Sequence, residues 1–165
     1  MVDDVVRALG HLSLGTRLRR IGEQLQSETQ RILDDGGLSV QASQCPVLVA
    51  VERLGPVTIG DLALALGITQ PGATRAVGLL VEAGSLEVLK SEGDARVRLV
   101  ALAPAGKALV ARLRAELWPR IDRAVAELCR PLAGPLLDQL DALEGALRDM
   151  PLPERVAALR EGSPL

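Results

Sequence analysis

The chain has no phenylalanine and no tyrosine, one tryptophan, one histidine and two cysteines in 165 residues. Each shortage excludes something. With Trp118 as the lone aromatic, any core must be built from Leu, Val, Ile and Ala, which favours helix-on-helix packing over a large sheet. A single histidine, His11, offers no Ser-His-Asp or Cys-His arrangement and no metal-ligand spacing, so nothing points to an enzyme, a metal or a cofactor. Cys45 and Cys129 cannot form a disulfide framework; they read as small apolar residues, and a reducing cytoplasm is the expected location. No apolar run approaches the ~18 residues needed to span a bilayer, so no membrane partner is expected. The opening MVDDVVRALG carries two acids where a signal peptide carries bases. Lysine is scarce as well, with two against seventeen arginines, and the net charge of -2 provides no global attraction for nucleic acid. What is present, 48% hydrophobic and 24% charged residues, suits a folded domain with a real core.

Periodicity organises the chain. Leu14, Leu18, Ile21, Leu25 and Ile32 form one apolar stripe, predicting a single long helix over 5–34 that Gly36-Gly37 stops. A second helix is expected around 41–54, with Pro46 in its first turn and Gly55-Pro56 after it. Thr58 caps a short helix with Asp61 at its third position, and Gly67 breaks it. Thr69 caps the next, with Pro71 in the first turn, Ala73, Val77 and Leu80 on the buried face, and Gly84 at the end. Two short helices joined by a Gly turn make a helix-turn-helix. The period then changes to two: Leu86, Val88 and Lys90 alternate, SEGDA turns, and residues 96–100 alternate again, which predicts a β-hairpin wing. From Pro104 a long helical pattern resumes, with Pro119 expected to kink it, and Leu136, Leu140, Leu143 and Leu147 mark one more helix. Residues 104–130 hold six basic and three acidic residues, and some of those arginines are candidates for the DNA-facing surface.

With DLALALGITQPGATRAVGLLVEAGSLEV followed by GDARVRLVALAPAGKALV, the sequence resembles the MarR family of winged helix-turn-helix transcription regulators over about residues 10–148. Asp94-Ala95-Arg96 matches that family's Asp-x-Arg wing element. Leu102-Ala103-Pro104-Ala105-Gly106 meets its apolar-Thr-x-x-Gly signature only in part, because Ala103 stands where a Thr or Ser cap is usual. The resemblance implies a homodimer with interlocked N- and C-terminal helices, a pseudo-palindromic double-stranded DNA operator, and a small effector in a cleft between the dimerisation helices and the DNA-binding lobe. The expected architecture is mainly α: a winged helix-turn-helix with long terminal dimerisation helices and a two-stranded wing. The expected divisions are 1–37 for the N-terminal dimerisation helix, 38–103 for the lobe with its wing at about 86–102, 104–150 for the C-terminal dimerisation helices, and 151–165 for a tail.

The first turn of the second motif helix is the best candidate for reading DNA. Gln70 can pair with adenine, and Arg75 with guanine or phosphate. Thr69 and Thr74 can donate to phosphate oxygens beside Pro71, although Thr69 serves equally well as a cap alone. In the wing, Arg96 and Arg98 share a strand face. The resemblance favours Arg96 for a narrow minor groove, oriented by Asp94, with Arg98 on phosphate. Against this, residues 56–103 hold four basic and five acidic residues, which leaves open a winged-helix protein-interaction module without specific DNA binding. The absence of Phe and Tyr suggests an aliphatic effector pocket and hence an apolar effector. Trp118 reads as core or interface packing, with pocket lining as the lesser alternative.

Overall fold

The computed structural model describes residues 3–90, 93 and 97–161. They form two compact units, Met1–Pro119 and Arg120–Leu165. The first carries the winged helix.

The stripe predicted as one helix over 5–34 is interrupted. A short α1 (Val5–Ala8) leads into a 3-10 turn (Gly10–Ser13), and only then does α2 (Leu14–Asp35) begin. The cause is local. Gly10 takes φ +57, and the Ser13 hydroxyl donates to the Val6 and Gly10 carbonyls, closing the turn upon itself. Apolar periodicity is blind to such a break. At its other end α2 seats Leu33 in the core, and Arg112 donates to the Gly36 carbonyl at 3.0 Å.

The second helix starts later than expected. A 3-10 turn, Ala42–Gln44, precedes α3 (Cys45–Leu54), with Gln41 and Gln44 capping it reciprocally and Pro46 in the first turn of α3. Then come α4 (Ile59–Leu66) and α5 (Gln70–Glu82), joined by Gly67 at φ +63. Both predicted caps form: Thr58 accepts from the Asp61 amide at 3.1 Å, and Thr69 from the Gly72 amide at 3.3 Å.

The hairpin pairs β1 (Leu86–Lys90) with β2 (Arg98–Leu102) in antiparallel register, from Leu86 opposite Leu102 to Lys90 opposite Arg98. The second strand therefore lies two residues later than the alternation suggested, because Val100 and Leu102 are the positions that reach the core. Val57 adds a bridge outside both strands, exchanging two backbone hydrogen bonds with Val100 at 3.0 and 2.8 Å. The expected tip residues Asp94 and Arg96 lie outside the described residues.

Next, α6 (Pro104–Arg112) opens without a side-chain cap, as Ala103 implies. The Ala103 amide instead donates to the Ser85 carbonyl at 3.1 Å, and Gly106 is buried directly above that carbonyl. A Cβ at position 106 would lie 1.9 Å from Ser85 O, so the glycine is there for closeness of packing. The disturbance expected at Pro119 takes the form of a π-helical turn, Leu113–Leu117, after which α7 (Trp118–Cys129) starts afresh. A proline has no amide and crowds the carbonyl four residues back, so the wider turn ahead of it relieves both problems. The core of this unit is aliphatic: Leu33, Leu48, Leu62, Leu80, Val100, Val110 and Leu113 are almost wholly buried.

The second unit holds the rest of α7, then α8 (Leu136–Asp149) and α9 (Leu152–Glu161). The segment expected as a tail is thus largely helical. Arg155 donates to the Met150 carbonyl at 2.8 Å and also to that of Ala146, tying α9 to the end of α8.

Candidate nucleic-acid interface

Helix α5 has two unlike faces. Ala73, Val77 and Leu80 are buried, while Gln70, Pro71, Thr74, Arg75 and Gly78 are exposed. Gln70 and Thr74 are four residues apart, as are Pro71 and Arg75, so the four form one patch over the first turns. Arg75 makes no ion pair or side-chain hydrogen bond with a described residue. The Thr74 hydroxyl donates to the Gln70 carbonyl at 2.9 Å, and the Thr69 hydroxyl accepts from the Gly72 amide. Each threonine therefore already has a structural task. Thr69 keeps its own proton available for an oxygen outside, whereas Thr74 spends its proton on the helix.

Two acids of the helix-turn-helix are placed by their own elements. Asp61 accepts from the Thr58 hydroxyl at 2.7 Å at the start of α4. Glu82 is the only acid in α5 and lies at its far end, roughly 18 Å along the axis from Gln70. In the wing, Arg98 is exposed and faces Lys90 directly across the strands. Sequence alone does not single out Lys90 as a site residue, because its role depends on register, and alternation does not set register. Like charges directly opposite weaken a hairpin in isolation, so this pair contributes nothing to the stability of the strands.

Residues 37–97 match the model of the MarR family. Over these residues the winged-helix lobe is similar to the MarR family. No curated protein sequence matches the chain. Solved structures of the same fold include the PcaV transcriptional regulator of Streptomyces coelicolor with its natural ligand, at 19% identity and TM-score 0.66, covering 91% of this chain and 97% of that one. The S. aureus MepR-DNA complex matches at 18% identity and TM-score 0.65, covering 83% and 98%. A point mutant of MarR from E. coli complexed with operator DNA matches at 24% identity and TM-score 0.58, covering 82% and 94%.

Beside the helix-turn-helix lies a cleft of about 520 Å³, formed by the outer face of α3, the end of α4 and the Trp118 ring. Trp118 lines this cleft. Its ring is held from behind: the Arg114 guanidinium sits 5.9 Å from its centroid, and Glu52 grips Arg114 through both carboxylate oxygens. Hydrogen bonds from Arg114 hold the Glu52 carboxyl below its usual range and raise Arg114 above its own. Arg114 and Arg112 are thus committed within the protein, although the basic balance of residues 104–130 suggests a surface for DNA. Nothing in the sequence signals the clamp, since Glu52 and Arg114 are far apart in the chain.

Cys45 also lines the cleft. Burial pushes its thiol pKa up, and the thiol donates to the Gln41 carbonyl at 3.7 Å. A raised thiol holds less of the reactive thiolate at neutral pH. His11 is exposed in the 3-10 turn. Among the described residues no group of three or more His, Cys, Asp or Glu side chains is placed to hold a metal, and no helix is long and apolar enough to cross a membrane.

Proposed function

We propose that the protein is a homodimeric DNA-binding transcription regulator, a repressor released from a pseudo-palindromic operator by a small apolar effector. The observation that carries this reading is the exposed patch Gln70, Pro71, Thr74 and Arg75 over the first turns of α5, backed by a buried face in a lobe similar to the MarR family. Gln70 and Arg75 read base edges in the major groove, and Thr69 donates to phosphate. Arg98 and its cross-strand neighbour Lys90 meet phosphate at the base of the wing, where two adjacent cations become favourable. Arg96, oriented by Asp94, enters the minor groove. Two of the segment's acids support DNA over a protein partner: Asp61 is engaged in a cap, and Glu82 is the only acid of α5 and lies at the end remote from the patch. The solved relatives of this fold include operator DNA and DNA complexes as well as a ligand complex. The reading assigns no catalysis to the chain and places it in the cytoplasm.

Dimerisation follows from surface left uncovered. Leu14, Leu18, Ile21 and Ile32 of α2 are 40–51% exposed, a stripe that a solvated helix does not carry without a partner. In the second unit Leu128, Leu137 and Leu152 are more than 60% exposed. A second copy covers both sets, and residues 1–37 and 104–150 serve as dimerisation elements around the lobe. Two recognition helices then dock on half-sites ~34–36 Å apart, and an effector that changes their spacing breaks simultaneous docking.

Selection of bound fragments from the source genome, followed by titration at several salt concentrations, tests the reading. One sequence-specific site with two-fold symmetry and a steep salt dependence is the expected result. Uniformly weak binding to all fragments would sink it in favour of a protein-interaction module.

A further inference from the structure

The cleft between α3 and α4 has a chemistry that narrows its occupant. Its size is that of a small-molecule site. Its lining is aliphatic: Pro46, Val49, Ala50, Leu54 and Leu66 present only carbon, and Trp118 forms a single flat wall. Its polar side-chain groups are the indole N–H of Trp118, the Cys45 thiol and the Arg53 guanidinium. The thiol is already donating to a carbonyl of its own turn. Arg53 is exposed at the cleft and makes no ion pair or side-chain hydrogen bond with a described residue. Its neighbour Glu52, the obvious partner, is occupied on both oxygens by Arg114. One committed carboxylate thus does two things. It pins Trp118 through Arg114 and acts on Arg53 only through space, which leaves the Arg53 guanidinium without a hydrogen-bonded anion.

We propose that this cleft binds an aliphatic monocarboxylate of about eight to twelve carbons, its chain lying along α3 and Trp118 and its carboxylate on Arg53. This proposal rests on the effector reading above and changes its ligand class, from an apolar molecule to an amphiphile with an apolar chain and one carboxylate. A ligand rich in hydroxyls is disfavoured, because the lining has no serine, threonine, tyrosine or carboxylate to satisfy them. A roughly 520 Å³ space holds the volume of about seventeen waters at ~30 Å³ each, room enough for a chain of this length. The wall is pre-organised, since Glu52 and Arg114 fix the indole before any ligand arrives. Glu52 and Arg114 are accordingly positioning residues, and Arg53 is the anchor.

The test uses the full chain without DNA, so its outcome and that of the operator experiment are independent. Labelled decanoate is equilibrated across a dialysis membrane with the protein, and the emission of Trp118, the sole tryptophan and with no tyrosine beside it, is followed in parallel. Saturable binding of one decanoate per chain with a change in Trp118 emission is expected. Over hexanoate, octanoate and decanoate the affinity should rise about fourfold per methylene. Arg53→Gln should weaken decanoate at least tenfold at unchanged melting temperature, and 1-decanol should bind the wild type at least tenfold more weakly than decanoate. Arg114→Met should alter the emission of the unliganded protein and weaken decanoate. Absence of saturable binding overturns the proposal. So does binding that ignores Arg53→Gln, which places the chain on an apolar surface elsewhere, or decanol binding as tightly as decanoate.

Discussion

Replacing Gly106 by alanine tests the packing of the lobe against α6 with a single methyl group. In an ordinary helix interior this change stabilises by up to about 1 kcal/mol, because alanine loses less backbone entropy. Here the new Cβ would stand 1.9 Å from the Ser85 carbonyl oxygen and 2.9 Å from its carbon. Those are backbone atoms, and the separation has to grow by more than about 1 Å to reach van der Waals contact. The Ser85 peptide has little freedom to move. Its amide donates to the Leu80 carbonyl at 2.9 Å, and its oxygen accepts from the Ala103 amide at 3.1 Å. Overpacking costs about 1–3 kcal/mol, and a displaced Ala103 hydrogen bond adds about 1 kcal/mol. After the propensity gain is subtracted, a net destabilisation of about 2–3 kcal/mol is expected, or roughly 5–10 °C in Tm for a chain of this size. Thermal and urea unfolding followed by far-ultraviolet circular dichroism measure it. Gly78→Ala is the control: position 78 is exposed within α5 and nothing lies within 4 Å of a Cβ there, so that variant should be neutral or up to about 1 kcal/mol more stable. A Gly106→Ala protein as stable as the Gly78→Ala one would refute the close-approach argument.

Four further outcomes follow from the same reasoning. Gln70→Ala and Arg75→Ala should each cost about 1–3 kcal/mol of discrimination between operator and mutated operator at matched salt; unchanged discrimination in both would remove α5 as the reading helix. Arg96→Ala should weaken operator binding and lower the magnitude of the salt slope by roughly one phosphate equivalent while leaving Tm nearly unchanged, whereas a large fall in Tm with an unaltered slope would make Arg96 structural. The Glu52 carboxyl is held low by Arg114, so its contribution is present in full above its usual value of 4.5 and disappears as pH falls through the lower folded value. The stability gap between wild type and Glu52→Gln should accordingly be open at neutral pH and close in acid; an equal gap at both, read from urea midpoints, contradicts the clamp. Finally, Leu18→Glu with Ile21→Glu places two charges on the exposed stripe of α2 and should give a folded monomer in light scattering, whereas an unchanged dimer would move the interface elsewhere.

Much of the winged helix is legible without coordinates, because its signals are short-range. Thr58 and Thr69 are side chains that bond amides three residues away, and Gly67 and Gly84 take positive φ where a helix must end. Leu86, Val88 and the later alternation mark strands through the period of the pleat. The same locality explains the exposed patch on α5, since Ala73, Val77 and Leu80 show which side is turned inward. Other features required the folded chain. The break at Gly10 is made by a hydroxyl folding back on a turn, which apolar spacing cannot register. Register between β1 and β2, and with it the pairing of Lys90 with Arg98, depends on which residues reach the core and on Val57 joining from outside the hairpin. The need for glycine at 106 is set by Ser85, and the orientation of Trp118 by Glu52 through Arg114. Local bonding and hydrophobic period determine which elements form. Contacts between residues distant in sequence are decided only when those elements pack, because no residue carries information about a neighbour that the fold alone brings to it.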